Sequence, residues 1–128
     1  MTKAAPPPGE RPSSFLGPLV AFVSSTDLDR SRAFYVDVLG LTELETSPFA
    51  LVLASGDTVL RVTHVASFVP QPFTVLGWTV PDVRAVPITP IVYDGMGQDS
   101  DGVWTAPGGA QIRWFHDPDG NVLSVTQV

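Results

Sequence analysis

Residues 26–40 read TDLDRSRAFYVDVLG, and how this stretch is parsed decides the fold. Thr26 or Asp27 suits a helix N-terminus, because either side chain can accept from backbone N–H groups that a first turn leaves without partners. Leu28, Arg32, Phe34, Tyr35, Val38 and Leu39 then recur at helical spacing, and Gly40 supplies the C-terminal stop. The preceding residues, LVAFVSS at 19–25, are β-prone. Together they predict a strand feeding a helix.

Three short strand candidates follow: LTELET (41–46), FALVLA (49–54) after a Ser-Pro turn, and TVLRVTHV (58–65) after SGD. The first half therefore reads βαβββ. A linker, ASFVPQP (66–72), leads to the strand FTVLGWTV (73–80) and to PDVRAV (81–86), where Pro87 and Pro90 forbid a helix of more than one or two turns. Then come ITPIVYD (88–94) as a strand, a polar and mobile-looking loop DGMGQDSDG (94–102), VWTA (103–106), a PGG turn, and AQIRWFH (110–116) and NVLSVTQ (121–127) around DPDG. The order of elements thus repeats after about 55 residues. Two modules, about 18–66 and 72–128, predict an α+β fold with two curved mixed sheets around a cleft and a shortened second helix.

The whole chain agrees with that reading. Its 128 residues suffice for one core and not for two, so 15–128 is read as a single domain. Residues 1–14, MTKAAPPPGERPSS, carry no apolar period and read as a disordered Pro-rich lead-in with polyproline II character. There is no cysteine, which removes disulfides, thiolate metal sites and thiol nucleophiles. A formal charge of −6 argues against nucleic acid or an anionic membrane as partner. No signal-peptide pattern follows Lys3 and no apolar run has membrane-spanning length, so a cytoplasmic protein is expected.

DLDRSRAFYVDVLGL (27–41) resembles the first-helix signature of the vicinal oxygen chelate superfamily, which includes glyoxalase I, bleomycin-resistance proteins and extradiol dioxygenases. FHDPDGNVLSV (115–125) resembles its closing hairpin, and with WTAPGG (104–109) the likeness extends to small glyoxalase-like members over residues 18–128. The resemblance implies paired βαβββ modules and frequent dimerisation, so a homodimer is expected. In metal-dependent members, one His, Glu or Gln from the first and last strand of each module holds a divalent ion. Aligned on the two motifs, those four positions fall on Val20, Arg61, Val75 and Ser124. Valine has no donor, a guanidinium repels a cation, and one serine hydroxyl is a poor ligand, so neither a metal nor another cofactor is expected.

Strand parity places Val20, Phe22, Ser24, Val59, Arg61, Thr63, Val75, Gly77, Thr79, Ile112, Trp114, Val122, Ser124 and Thr126 on the concave faces. Such a lining, apolar and aromatic with a few hydroxyls and one cation, suits a small-molecule pocket, the alternative being that the two sheets simply fill their own interior. Arg61 either holds an anionic group of a ligand or reaches solvent, or pairs with Asp57 or Glu45. Tyr93 and Trp104 flank the polar loop and either gate and stack on a ligand or belong to the core. Trp78 falls on the helix-facing side, and His64 points to the face opposite Arg61, towards the helix or solvent. In DPDG, Pro118, Gly120 and the aspartates are read as turn chemistry, leaving His116 at the pocket rim. The loop 94–102 lacks the spacing and glutamate of a calcium loop.

The candidate ligand-binding set is therefore Phe22, Arg61, Val75, Tyr93, Trp104, Trp114, His116 and Ser124. The leading expectation is a metal-free binding protein that sequesters a drug or other aromatic ligand, with no nucleic-acid or membrane partner. The alternative is a diverged lyase or dioxygenase using a divalent metal. A metal-independent lyase or isomerase would need a general base, for which His116 is the one candidate.

Overall fold

The computed structural model describes residues 15–128, and the segment read as a disordered lead-in lies outside the described residues. Strand β1 (Val20–Ser25) enters helix α1 (Leu28–Arg32), which continues without a break as a π-helical stretch, Ala33–Val38. Asp27 is the N-cap and accepts from Arg30 N at 3.1 Å, a bond that fixes the helix start. The widened turn shows in the bond from Leu39 N to Phe34 O, five residues back. Tyr35 is thereby fully buried.

Strands β2 (Thr42–Thr46), β3 (Ala50–Ser55) and β4 (Thr58–His64) complete a sheet of order β1-β4-β3-β2, in which β1 and β4 run parallel. The second module repeats this order as β5-β8-β7-β6, from β5 (Thr74–Thr79), β6 (Trp104–Thr105), β7 (Gln111–His116) and β8 (Val122–Gln127). Here β5 and β8 are the parallel pair. These are the paired four-stranded mixed sheets expected from the sequence, and they close into no barrel.

One core joins the modules. Leu51, Leu53, Leu60 and Val62 project from the first sheet, and Phe115, Leu123 and Val125 from the second, into a cluster completed by Tyr35 and Val83. Period-2 alternation sends these side chains to one face, and each buried Leu, Val or Phe contributes about 1.5–3 kcal/mol relative to exposure. Trp78 lies on this side, as its parity requires, and its Nε1 donates to Ser55 Oγ across the modules at 2.9 Å.

The second helix is reduced to one 3₁₀ turn, Val83–Ala85, capped by Asp82. Arg113 takes over much of the missing helix's polar work. The residue is 6% exposed, and its guanidinium donates to the carbonyls of Val83 (2.7 Å), Val86 (3.2 Å), Ile88 (3.5 Å) and Asp101 (3.1 Å). On the surface above, Arg84 bridges Asp99 at 2.7 Å and Asp101 at 2.6 Å.

Two expectations are corrected here. The stretch 88–94 is not a strand but makes a single bridge, Pro90 to Phe115, with Ile91 N donating to Trp114 O. Pro90 has no N–H to extend a ladder, and the Gln98 side chain claims the neighbouring backbone, accepting from Tyr93 N and donating to Ile91 O. The loop 94–102 is consequently braced rather than loose, since Gln98 also donates to Gly102 O and Asp99 accepts from Asp101 N and Val103 N. Gly102 is required twice over: its φ is +77°, and a Cβ there would overlap the Pro90 ring.

Candidate functional site

Opposite the core, each sheet turns a second face outward. On the first sheet, strand register sets Phe22 beside Arg61 and Arg61 beside Val52. Phe22 is 64% exposed, an unusual fate for a phenylalanine in mid-strand. Arg61 is half-buried and has no ion-pair partner among the described residues, neither Asp57 nor Glu45 included. A guanidinium left in this way has its donors available.

On the second sheet the register sets Ser124 between Gly77 and Trp114, and Ile112 between Thr126 and Trp104. Ser124 Oγ fills the space a side chain at position 77 would need, so Gly77 lets the two strands carry this hydroxyl. Trp114 is the centre of an aromatic group. Tyr93 meets it edge to face at a centroid distance of 5.7 Å, and Trp104 lies tilted at 6.2 Å. All three rings are half-buried, so each keeps area for a further contact.

The two faces meet in a depression of about 460 Å³ lined by Phe22, Ser24 and Thr63 from one sheet, Val75 and Asn121 from the other, and linker residues 68–71. Val75 sits where the β5–β8 register shifts, between Thr74 and Leu76. The structure thus brings together Phe22 with Val75, Arg61 with Phe22 by register, and Trp114 with Tyr93, Trp104 and Ser124. His116 is held apart from the aromatic group: it is exposed, its Nδ1 is 3.3 Å from Gly120 O, and it borders a different depression with Phe34, Val38 and residues 87–91. His64 is exposed beside Thr26, Asp27 and Arg32. Among the described residues no three His, Cys, Asp or Glu side chains converge as a metal site would require.

The DPDG turn does more than turn. Asp117 is buried, and its carboxylate accepts from Tyr35 OH at 2.7 Å, Asn121 Nδ2 at 2.7 Å, Asn121 N at 2.9 Å and Asp119 N at 3.0 Å. With both oxygens committed, it is unsuited to act as a catalytic base. Its charge is the second cause, after burial, that pushes the Tyr35 hydroxyl far above the ordinary tyrosine range. Asp119 reaches back to the first helix: Oδ1 accepts from Thr26 N (3.0 Å), Thr26 Oγ1 (2.6 Å) and Arg30 Nη2 (3.0 Å). Asn121 Nδ2 donates to Ser24 O. The two motifs that marked the fold in the sequence therefore bind each other, a contact the sequence reading missed.

This latch carries a pH dependence. Burial raises the Asp119 carboxyl, but the Thr26 hydroxyl and N–H and the Arg30 charge outweigh it and hold the group below the ordinary aspartate value. A depressed folded value means stability that is present above the unfolded value of about 3.9 and is lost as pH falls through the folded one. Acid titration of stability should show a loss below about pH 4. Asp119→Asn should lower stability at neutral pH and make that acid loss smaller; an unchanged acid limb would remove Asp119 as its source.

Comparison with known proteins gives a family and a fold. Residues 17–125 match the model of the Glyoxalase/Bleomycin resistance protein/Dioxygenase superfamily. The lactoylglutathione lyase of Agrobacterium tumefaciens superposes with a TM-score of 0.65 at 18% identity, over 91% of this chain and 95% of that one. A superfamily member from Sphaerobacter thermophilus DSM 20745 gives 0.67 at 16%, over 88% and 98%. TioX from Micromonospora sp. ML1 gives 0.63 at 18%, over 87% and 98%. No curated protein matches the chain. At these identities the structural likeness is one of fold.

Proposed function

From the premise that this chain belongs to the Glyoxalase/Bleomycin resistance protein/Dioxygenase superfamily, we propose that it is a metal-free binding protein for a small organic ligand with an aromatic part. The observation that carries this reading is the Tyr93–Trp114–Trp104 group, in which Trp114 contacts each of the other two rings and all three are half-buried, beside a serine hydroxyl and on the outward side of the sheet. Aromatic surface of this kind supplies affinity, and a few polar groups supply orientation. Arg61, which has no ion-pair partner among the described residues, suits an anionic substituent of the ligand.

The donor set supports the metal-free half of the reading. Val20, Arg61, Val75 and Ser124 stand at the positions where the family resemblance puts metal ligands, and their chemistry does not fit a divalent ion. Of the two candidate bases in and beside the DPDG turn, Asp117 is fully engaged and His116 borders another depression. These features support sequestration without turnover. A homodimer, in which a second copy covers the exposed Phe22, Val20 and Val75, accords with their 64, 45 and 41% exposure.

Elemental analysis tests this directly. Protein purified without chelator or affinity tag, then soaked in Zn²⁺, Ni²⁺, Mn²⁺ or Fe²⁺ and desalted, should retain almost no metal. Tryptophan fluorescence should then be quenched by a subset of planar aromatic carboxylates, and Trp114→Ala should lose that response. One tightly held ion per chain would return a metal-dependent lyase or dioxygenase to first place.

A further inference from the structure

The depression where the two sheets meet is lined by Asn121, which is 6% exposed and is the only asparagine of the chain. Its Nδ2 donates to Ser24 O at 3.0 Å and to Asp117 Oδ2 at 2.7 Å. A carbonyl and a carboxylate only accept, so the amide has one possible orientation and Oδ1 lies on the other side. No described residue donates to that oxygen. Nor is it sealed in, because among the described residues Asp119 Oδ2 is the one fully buried side-chain oxygen or nitrogen without a partner. Asn121 Oδ1 is therefore a fixed acceptor open to the depression, and the carboxylate behind Nδ2 polarises the amide and strengthens it.

Two hydroxyls stand with it. Ser24 and Thr63 are register partners on β1 and β4, both line the depression, and neither hydroxyl bonds to a described residue. Phe22, Phe68 and Val75 supply apolar walls, and Pro70 of the linker packs on Gly120, where a Cβ would lie 3.2 Å from the proline ring. No charged side chain lines this space. Oxygens without donors of their own, between aromatic walls, suit an ammonium, which gives three hydrogen bonds and is attracted to ring faces. Arg61 follows on the same face of β4, two residues from Thr63 and so about 7 Å along the strand, a separation its long stem covers. A lone amine would be repelled by that guanidinium, whereas an ammonium joined to a carboxylate would be held by it.

We propose that the depression and Arg61 together take the head group of an α-amino acid, with the ammonium at Asn121 Oδ1, Ser24 Oγ and Thr63 Oγ1 and the carboxylate at Arg61. The inference rests on the reading of Arg61 as the holder of the ligand's anionic group, and narrows the ligand to one class. A zwitterion has no net charge for a chain of formal charge −6 to oppose.

Full-length protein labelled with side-chain ¹⁵N-asparagine gives one amide pair, that of Asn121. L-Phenylalanine should shift this pair saturably, and in uniformly labelled protein the Arg61 Nε–H should move with it. Phenethylamine and 3-phenylpropanoate, each lacking one of the two charges, should bind about tenfold more weakly. Asn121 belongs to the latch, so the variant is made on the outward face: Thr63→Val should weaken phenylalanine binding about tenfold and leave 3-phenylpropanoate as it was. An Asn121 pair that stays still up to the solubility limit of phenylalanine overturns the assignment, which is also the result if a second copy fills the depression. So does a Thr63→Val variant that binds phenylalanine as before. Equal binding of phenylalanine and 3-phenylpropanoate overturns the head-group assignment alone, because tryptophan quenching by aromatic carboxylates tests the functional reading without involving Asn121.

Discussion

Arg113→Met should lower the stability of the fold by about 3 kcal/mol, a fall in melting temperature on the order of 10 °C. Methionine preserves much of the packing volume but abandons the carbonyls of Val83, Val86, Ile88 and Asp101, which no helix is present to satisfy. A buried guanidinium is itself costly to desolvate, which is why the expected loss stays below the sum of its bonds. Arg113→Lys should recover only part, because one ammonium cannot reach carbonyls spread around a planar fork. Denaturant unfolding checks this through the midpoint at constant slope. An unchanged midpoint for Arg113→Met would mean that those carbonyls are hydrated equally well without it.

Asp117→Ala should be of similar size, about 3 kcal/mol, since four donors lose a buried acceptor at once. Two companion variants separate the parts. Tyr35→Phe deletes one bond and should cost about 1 kcal/mol, whereas Asp117→Asn keeps one oxygen for the turn and should fall between them. If Asp117→Ala is no worse than Tyr35→Phe, the turn's own bonds contribute nothing net and the latch reduces to a single hydroxyl contact.

What could be read from the sequence followed from periodicity and turn chemistry. Asp27 caps the helix, Gly40 ends it, and the alternation in β3, β4, β7 and β8 sends the right side chains to the core. The stretch 88–94 misled because its composition is β-prone while Pro90 withholds the N–H that a ladder needs, and the competing partner, Gln98, is a side chain from the loop beyond. Of the candidate site, the shared face of Trp114 and Ser124 was legible from parity, whereas Trp104 joins it through the β6–β7 register that pairs it with Ile112. Tyr93 joining them depended on loop geometry that no local pattern encodes. The signal that could have exposed Arg113 was present: it alternates in phase with Phe115, so a cation on the core face was implied and called for buried acceptors.

The contacts among Ser24, Thr26, Arg30, Tyr35 and the DPDG turn join residues 82 to 97 positions apart in the chain. Each half therefore displays a surface whose mate belongs to the other, and the peptide linker at 66–72 sets only their local concentration. Nothing in those bonds distinguishes a mate on the same polypeptide from one on a neighbour. Shortening the linker would thus favour reciprocal exchange of halves between two molecules, with every latch contact re-formed across the pair.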